Sequence, residues 1–110
     1  MKRIAIFASG NGTNTENICR FFNQSEEIRV VLVCSNKKTS GVLNRIKPYG
    51  VPSLVFSKKE MNNTPLLENS LSKFSVDFIV LAGFLLKIPS KLVRLYENKI
   101  INLHPSLLPK

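Results

Sequence analysis

The stretch IAIFASGNGTNTE, residues 4–16, decides the fold class of this chain. It opens with the apolar run Ile4–Ala8, which predicts a strand that is buried on both faces. The run leads into the turn SGNG at residues 9–12. Thr13 and Glu16 then have the spacing of an S/T-x-x-E capping box, so a helix is predicted to begin at Thr13. A buried strand followed by a turn and a helix is the repeating unit of a parallel sheet covered by helices.

The same alternation continues along the rest of the chain. Further strands are predicted at Arg29–Cys34, Pro52–Phe56, Asp77–Ala82 and Ile100–Leu103, and further helices at 40–47, from the pair Thr64-Pro65 and from a Ser90 cap. Apolar residues at helical spacing are expected to face the sheet: Ile18, Phe21, Phe22, Leu43, Ile46, Leu67, Leu71, Phe74, Leu92, Leu95 and Tyr96. Pro52 places the third strand near a sheet edge. The sequence therefore predicts an α/β fold: a doubly wound, mostly parallel, Rossmann-like sheet with helices on both faces.

Composition bounds the class of protein. The 110 residues are 44% apolar and 21% charged, which fits one globular domain at most. The apolar run behind Met1-Lys2-Arg3 is too short for a signal peptide, and no stretch approaches the ~18 apolar residues of a membrane span. We therefore expect a cytoplasmic protein with no membrane partner. Cys19 and Cys34 lack metal-ligand spacing, so we expect two buried, reduced thiols and no metal site.

The net charge of +9, from 16 basic and 7 acidic residues, raises the question of nucleic acid or small anions as partners. The basic residues are scattered in short groups, such as Lys37-Lys38 and Lys58-Lys59, and form no single stripe. No RNA-binding aromatic motif or helix-turn-helix pattern accompanies them. Small anionic molecules are therefore favoured over nucleic acid.

The turn after the first strand is the first candidate site. In this architecture ligands bind beyond the carboxyl ends of the strands, where helix N-termini present free N–H groups to anions. Gly10 and Gly12 would let the backbone approach a phosphate, and Thr13 and Asn14 could add hydrogen bonds. A tight turn with a helix cap would explain the same residues without a ligand. Thr15 replaces the third glycine of a dinucleotide fingerprint and no GK[ST] loop is present, so a bound phosphate would be a monophosphate.

The second candidate lies at the end of the fifth strand. Residues two apart in a strand point the same way, so Asn102 and His104 are predicted side by side at the ligand-binding edge. An amide can donate to a developing oxyanion, and an imidazole can hold or pass a proton near neutral pH, which suits acyl transfer. A purely structural histidine is the alternative.

The third candidate is LAGFLLKIP, residues 81–89, which leaves the fourth strand at the same edge. It carries more apolar side chains than a connecting loop usually does, which would suit the wall of a pocket for a flat heterocycle. The alternative is that Leu85, Leu86 and Ile88 only cover the core.

Three segments taken together resemble the phosphoribosylglycinamide formyltransferase family: IAIFASGNGTN at 4–14, DFIVLAGFLLKIP at 77–89 and KIINLHPSLLPK at 99–110. The last segment is typical of folate-dependent formyltransferases, and the glycine-containing first loop selects the glycinamide enzymes among them. The resemblance covers essentially all 110 residues. It implies a formyltransferase fold and transfer of a formyl group from 10-formyltetrahydrofolate to the amine of glycinamide ribonucleotide, in de novo purine biosynthesis.

The resemblance also implies roles for individual residues. They are Gly12, Thr13 and Asn14 for the substrate phosphate; Leu85, Leu86, Lys87 and Ile88 for the folate pterin; Lys58 for a further folate contact; Asn102 for folate and the oxyanion; and His104 as general acid. Leu86 stands where many relatives carry arginine. In the implied reaction the amine attacks the formyl carbon on folate N10, and protons pass from that amine to the departing nitrogen, with no metal and no covalent enzyme intermediate.

The family places a catalytic aspartate after the HPSLLP segment, where it keeps the histidine charged, and this sequence ends before that position. We therefore expect residues 1–110 to be the N-terminal part of a single formyltransferase domain, truncated after HPSLLP and inactive or nearly so by itself. The uncovered fifth strand would favour aggregation or a homodimer.

Two other functions stay open. Methionyl-tRNA formyltransferase resembles the chain through the same HPSLLP segment, although the SGNGTN loop suits a small phosphorylated substrate better. A non-catalytic phosphate-binding module would use the first loop alone, and His104 would then have no role in chemistry.

Overall fold

The computed structural model describes residues 1–103. Strands and helices alternate along them as β1 Lys2–Phe7, α1 Thr13–Phe22, β2 Ile28–Ser35, α2 Val42–Arg45, β3 Ser53–Val55, α3 Lys58–Asn63, α4 Leu66–Lys73, β4 Phe78–Ala82, α5 Ser90–Leu95 and β5 Ile100–Leu103. A 3₁₀ turn at Lys47–Tyr49 follows α2. No helix within these residues is both long enough and apolar enough to cross a membrane.

The strands form one parallel sheet in the order β3-β2-β1-β4-β5. This confirms the predicted doubly wound α/β fold, and β3 lies at the sheet edge, as Pro52 indicated. The chain moves from β1 to β2 and β3 on one side, and returns to place β4 and β5 on the other. The order therefore reverses between β1 and β4, and ligands of such sheets bind at that point, beyond the carboxyl ends of the strands.

Each face of the sheet has its own buried core. The α1–α2 core contains Ile4, Ile6, Ala8, Cys19, Val33, Val42, Ile46, Val80 and Ala82. The α3–α5 core contains Ala5, Phe7, Leu32, Cys34, Phe56, Met61, Leu67, Leu71, Ile79 and Leu92. Alternate residues of β1 thus enter opposite cores, which is why the strand reads as a continuous apolar run.

The capping box predicted at Thr13 and Glu16 is wrong. Gly12 is the N-cap of α1 in a left-handed conformation (φ 83°), and no side chain caps the helix. The N–H and the hydroxyl of Thr13 instead donate to Asn11 Oδ1 at 3.1 and 3.0 Å. Glu16 pairs with Arg45 at 2.9 Å. A side-chain cap needs an extended residue at the N-cap, and the tight turn at Gly12 does not provide one.

A capping box does begin α3, a helix that was missing from the predicted elements. Ser57 Oγ accepts from the N–H of Glu60 at 3.0 Å, and Glu60 Oε1 accepts from the N–H of Ser57 at 2.8 Å. Thr64, predicted to cap the following helix, ends α3, and its hydroxyl accepts from the N–H of Leu66 at 3.2 Å. Pro65 is the N-cap of α4 rather than its first residue.

Two residues predicted to face the sheet are exposed instead, Phe21 by 80% and Leu95 by 62%. The buried row of α1 runs through Thr15 and Cys19, and Phe21 lies off that row. In α5, which spans six residues, Leu92 alone is fully buried. Its N-cap is Pro89, so the predicted Ser90 cap is also wrong, and no side chain caps this helix.

Candidate functional site

The loops after β1 and β4 flank the point where the strand order reverses. Ser9–Gly12 leads from β1 into α1, and Gly83–Pro89 leads from β4 into α5. Ala8 and Ser9 anchor the first loop through backbone bonds to Cys34 at 2.9 Å and to Gly83 at 3.2 Å. The sequence-predicted phosphate and folate segments therefore leave adjacent strands at the same edge of the sheet.

Gly12 fixes the approach of the first loop to the body of the protein. It is buried, its φ is +83°, and a Cβ placed on it would lie 2.5 Å from Val42 Cα. An L side chain is excluded here on both counts. Thr13 is exposed and Asn14 is half-buried at the start of the helix.

The first turn of α1 has the features that suit an anion. The initial N–H groups of a helix have no partner within it, and the helix dipole is positive at this end. Thr13 N–H is already bonded to Asn11 Oδ1, which leaves the N–H groups of Asn14 and Thr15 as the first-turn donors without a partner inside the helix. Because the Thr13 hydroxyl also donates to Asn11, it would have to turn to donate to a phosphate.

Ser9 joins three strand ends through one hydroxyl, a role that the sequence analysis missed. Ser9 Oγ donates to Asn36 Oδ1 after β2, and it accepts from the N–H of Leu85 after β4 at 2.9 Å. Ser9 itself is only 2% exposed. The signal in the sequence was polar residues directly after buried strands, at Ser9 and at Asn36.

A cleft of about 370 Å³ brings Lys58 together with the loop after β4. Its lining consists of Lys58, Asn62, Leu85, Leu86, Lys87, Ile88, Pro89 and Ser90. Leu86 and Ile88 also pack against the α3–α5 core, so these two residues both cover the core and line the cleft. Leu85 does not, since it is 71% exposed. The cleft thus combines an apolar wall with two ammonium groups at its rim. Gly12, Thr13 and Asn14 do not line it.

Asn102 is exposed on β5, where its Cα pairs with that of Leu81 on β4. This places it near the carboxyl end of its strand, at the same edge as the loop after β4. His104 lies outside the described residues, so its predicted position beside Asn102 stays a prediction.

The two cysteines are free and buried, as predicted. Burial, with a smaller contribution from the Glu16 carboxylate, raises the pKa of the Cys19 thiol to about 11, and burial raises the pKa of Cys34 as well. Both are therefore protonated near neutral pH and unsuited to nucleophilic attack. Within residues 1–103 no group of three or more His, Cys, Asp or Glu side chains is placed to hold a metal ion.

The fold defines a doubly wound α/β protein whose candidate ligand site lies at the carboxyl edge of the sheet. The chain belongs to the formyl transferase family, whose model matches residues 2–110.

Within this family, the chain is similar to phosphoribosylglycinamide formyltransferases. The chain is 36% identical to phosphoribosylglycinamide formyltransferase of Bacillus subtilis, over 99% of its own length and 58% of the relative's. It is 39% identical to the chloroplastic enzyme of that name from Arabidopsis thaliana, over 98% of its length and 39% of the relative's. The chain therefore spans 58% of the length of the first relative and 39% of the second.

Solved structures agree with the fold. The structure of phosphoribosylglycinamide formyltransferase from Anaplasma phagocytophilum matches with a TM-score of 0.87 and 33% identity, covering 98% of this chain and 52% of that one. Glycinamide ribonucleotide transformylase 1 from Geobacillus kaustophilus matches with a TM-score of 0.87 and 37% identity, covering 99% and 61%.

Proposed function

We propose that this chain is the N-terminal part of a formyltransferase domain that transfers a formyl group from 10-formyltetrahydrofolate to the amine of glycinamide ribonucleotide. One observation carries the proposal. The helix terminus that suits a phosphate follows β1, and the loop that lines the cleft for a flat heterocycle follows β4. These two strands are neighbours, and the strand order reverses between them.

The phosphate of the ribonucleotide would bind at the start of α1. Gly12 brings the backbone close because it has no side chain, and Asn14 and Thr15 offer N–H groups. Neutral donors and a helix dipole suit a single phosphate group, which fits a ribonucleotide monophosphate better than a dinucleotide.

The folate would bind in the cleft between α3 and the loop after β4. Leu86 and Ile88 form an apolar wall against which a pterin could stack. Lys58 and Lys87 at the rim would attract the carboxylates of the glutamyl part of folate. Leu86 in place of an arginine would leave that attraction to these two lysines.

In the transfer step the amine nitrogen of the ribonucleotide forms a bond to the formyl carbon, and the bond from that carbon to folate N10 breaks. The amide of Asn102 would donate to the carbonyl oxygen as it becomes negative. Protonated His104 would donate a hydrogen bond to the same oxygen and keep its proton when the carbonyl re-forms, while the proton lost by the amine ends on N10. The reaction is balanced without an oxidant, a reductant or a metal.

The test is a pair of titrations of the ¹⁵N-labelled chain, with glycinamide ribonucleotide and with tetrahydrofolate. The ribonucleotide should shift the amide signals of residues 12–15, and tetrahydrofolate those of residues 85–88, with neither ligand displacing the other. Displacement of one by the other would contradict the proposal. Ribonucleotide binding without folate binding would instead indicate the phosphate-binding module, and binding of initiator tRNA would indicate the tRNA formyltransferase.

The catalytic roles of His104 and Asn102 are tested by kinetic measurements on a form of the protein that catalyses the formyl transfer. His104→Ala and Asn102→Ala should each lower kcat by about 100-fold or more while leaving the Kd for the ribonucleotide within about twofold. Retention of full kcat in either variant would remove that residue from the mechanism.

We also propose a cytoplasmic location and a homodimer formed through β5, where Ile101 is 49% exposed. Sedimentation equilibrium should give twice the mass of one chain. A monomer at all concentrations would contradict the dimer.

A further inference from the structure

We propose that Ser9 is a positioning residue whose hydroxyl holds the wall of the folate cleft in place. The proposal rests on the proposed folate site, because it assigns Ser9 a role in shaping that cleft. Ser9 itself does not line the cleft and would act only through Leu85.

The hydrogen bonds of Ser9 link the end of β1 to the loop after β4. Its single hydroxyl proton goes to Asn36 Oδ1, which leaves the oxygen lone pairs to accept from the N–H of Leu85. Its own N–H donates to Gly83 O at 3.2 Å. One residue at the end of β1 therefore binds the backbone of the loop after β4 at two points.

The Leu85 side chain is not packed in a core, so the hydrogen bond to the Ser9 hydroxyl is what holds the backbone at Leu85. The Leu85 side chain is 71% exposed, whereas Leu86 and Ile88 pack against the α3–α5 core. The bond to Ser9 therefore fixes the backbone at Leu85, the first residue of the loop after β4 that lines the cleft. Its loss would loosen that wall without opening either core.

Asn36 is part of the same arrangement. It is half-buried after β2, and as acceptor it decides which way the Ser9 hydroxyl points. Without that acceptor the hydroxyl can rotate toward other partners and the Leu85 bond weakens. Asn36→Asp keeps an acceptor oxygen, so it is the conservative variant that should restore the arrangement.

The experiment compares Ser9→Ala, Asn36→Ala and Asn36→Asp with the unaltered chain. The matched control is Ser40→Ala, which removes another buried serine hydroxyl, one that pairs with Ser35 at 3.0 Å. Hydrogen exchange of the Leu85 amide is followed by NMR, and the Kd values for tetrahydrofolate and glycinamide ribonucleotide are measured on each variant.

Ser9→Ala and Asn36→Ala should each speed Leu85 exchange by about fivefold and raise the tetrahydrofolate Kd by a similar factor, the effect of one net hydrogen bond. The ribonucleotide Kd should stay within about twofold. For Asn36→Asp and Ser40→Ala, the Leu85 exchange rate and both Kd values should match those of the unaltered chain.

Unchanged Leu85 exchange in both alanine variants would overturn the proposal, and so would an equal weakening of both ligands. If Ser9→Ala does not fold, the Asn36 pair gives the same decision. If the unaltered chain binds no tetrahydrofolate, the proposed function fails, while Leu85 exchange still decides whether Ser9 positions the loop.

Discussion

Gly12 lies directly against Val42, so that the start of α1 touches the start of α2 with no side chain between them. A Cβ on Gly12 would be 2.5 Å from both Cα and Cβ of Val42, and the φ of Gly12 is +83°. Packing between two helices therefore sets the conformation of the predicted phosphate loop before any ligand is bound.

A side chain at Gly12 is excluded by its positive φ and by its contact with Val42. Alanine substitutions at three glycines measure these two effects separately. Gly12→Ala combines a positive φ with a close contact and should lower the free energy of unfolding by about 2–4 kcal/mol. Gly50→Ala has a φ of +67° but open space around its Cβ and should cost about 1 kcal/mol. Gly10→Ala, with nothing within 4 Å of its Cβ, should be nearly neutral. Urea unfolding measures all three, and equal losses at Gly12 and Gly50 would show that the contact with Val42 does not matter.

Thr15→Val should stabilise the protein. Thr15 is fully buried, and its hydroxyl has no hydrogen-bond partner within the part of the chain that the structure describes. An apolar group of the same shape avoids the cost of burying that hydroxyl, so we expect a gain of about 1 kcal/mol in urea unfolding. Ser40→Ala is the contrast, since it breaks a paired buried hydroxyl and should lose about 1 kcal/mol. A loss of stability in Thr15→Val would mean that the hydroxyl is satisfied.

Ser57→Ala should weaken α3 and, with it, the cleft. The Ser57 hydroxyl accepts from the N–H of Glu60 at 3.0 Å, and caps of this kind contribute about 1 kcal/mol. Ser57→Gly should cost only a few tenths of a kcal/mol, because glycine is also accepted at the N-cap. Thermal unfolding distinguishes the two variants, and equal melting temperatures would contradict the capping role.

Lys58→Gln should raise the Kd for tetrahydrofolate by about threefold at low salt, which is the range of one exposed ion pair. The difference from the unaltered chain should shrink as salt is added, since exposed charges are screened. Lys73→Gln, on α4 away from the cleft, is the matched control and should have no effect. A loss that does not respond to salt would argue against an electrostatic role.

Stability should fall in alkaline solution because of the two thiols. Burial raises the pKa of Cys19 to about 11 and also raises that of Cys34, whereas an unfolded thiol titrates near ~8.5. The stabilisation is therefore complete below pH ~8.5 and is lost as the pH rises toward the folded pKa values. The unfolding free energy should decrease by up to about 1.4 kcal/mol per pH unit for each thiol. The Cys19→Ala/Cys34→Ala double variant should show a flatter profile; an identical slope would rule the thiols out as its cause.

The sheet could be predicted from the sequence because its central strands are continuous apolar runs. Ile4–Ala8 and Asp77–Ala82 are apolar on both faces, and only a parallel sheet between two helical layers buries both. Helix starts were harder, because a capping box depends on backbone conformation as well as on residue type. The Thr13 box is wrong and the Ser57 box is real, although the spacing is the same in both.

The parts of the candidate site that are formed by one continuous segment could be predicted from the sequence. The loops after β1 and β4 are such segments, and sheet topology brings them to one edge. Lys58 was assigned from a family resemblance alone, and its place beside Leu86 depends on how α3 packs. Ser9 and Asn36 could not be paired from the sequence, because their contact depends on β1 and β2 being neighbours.

The division of the interior into two cores has a consequence for how the protein can change over evolutionary time. The predicted phosphate loop is braced by the α1–α2 core, and the wall of the cleft by the α3–α5 core, with the sheet as a partition between them. Substitutions that repack one layer should alter the recognition of one ligand and spare the other. The two proposed binding specificities could then change separately, and the Ser9 hydroxyl is a point where a single change would affect both sides of the sheet.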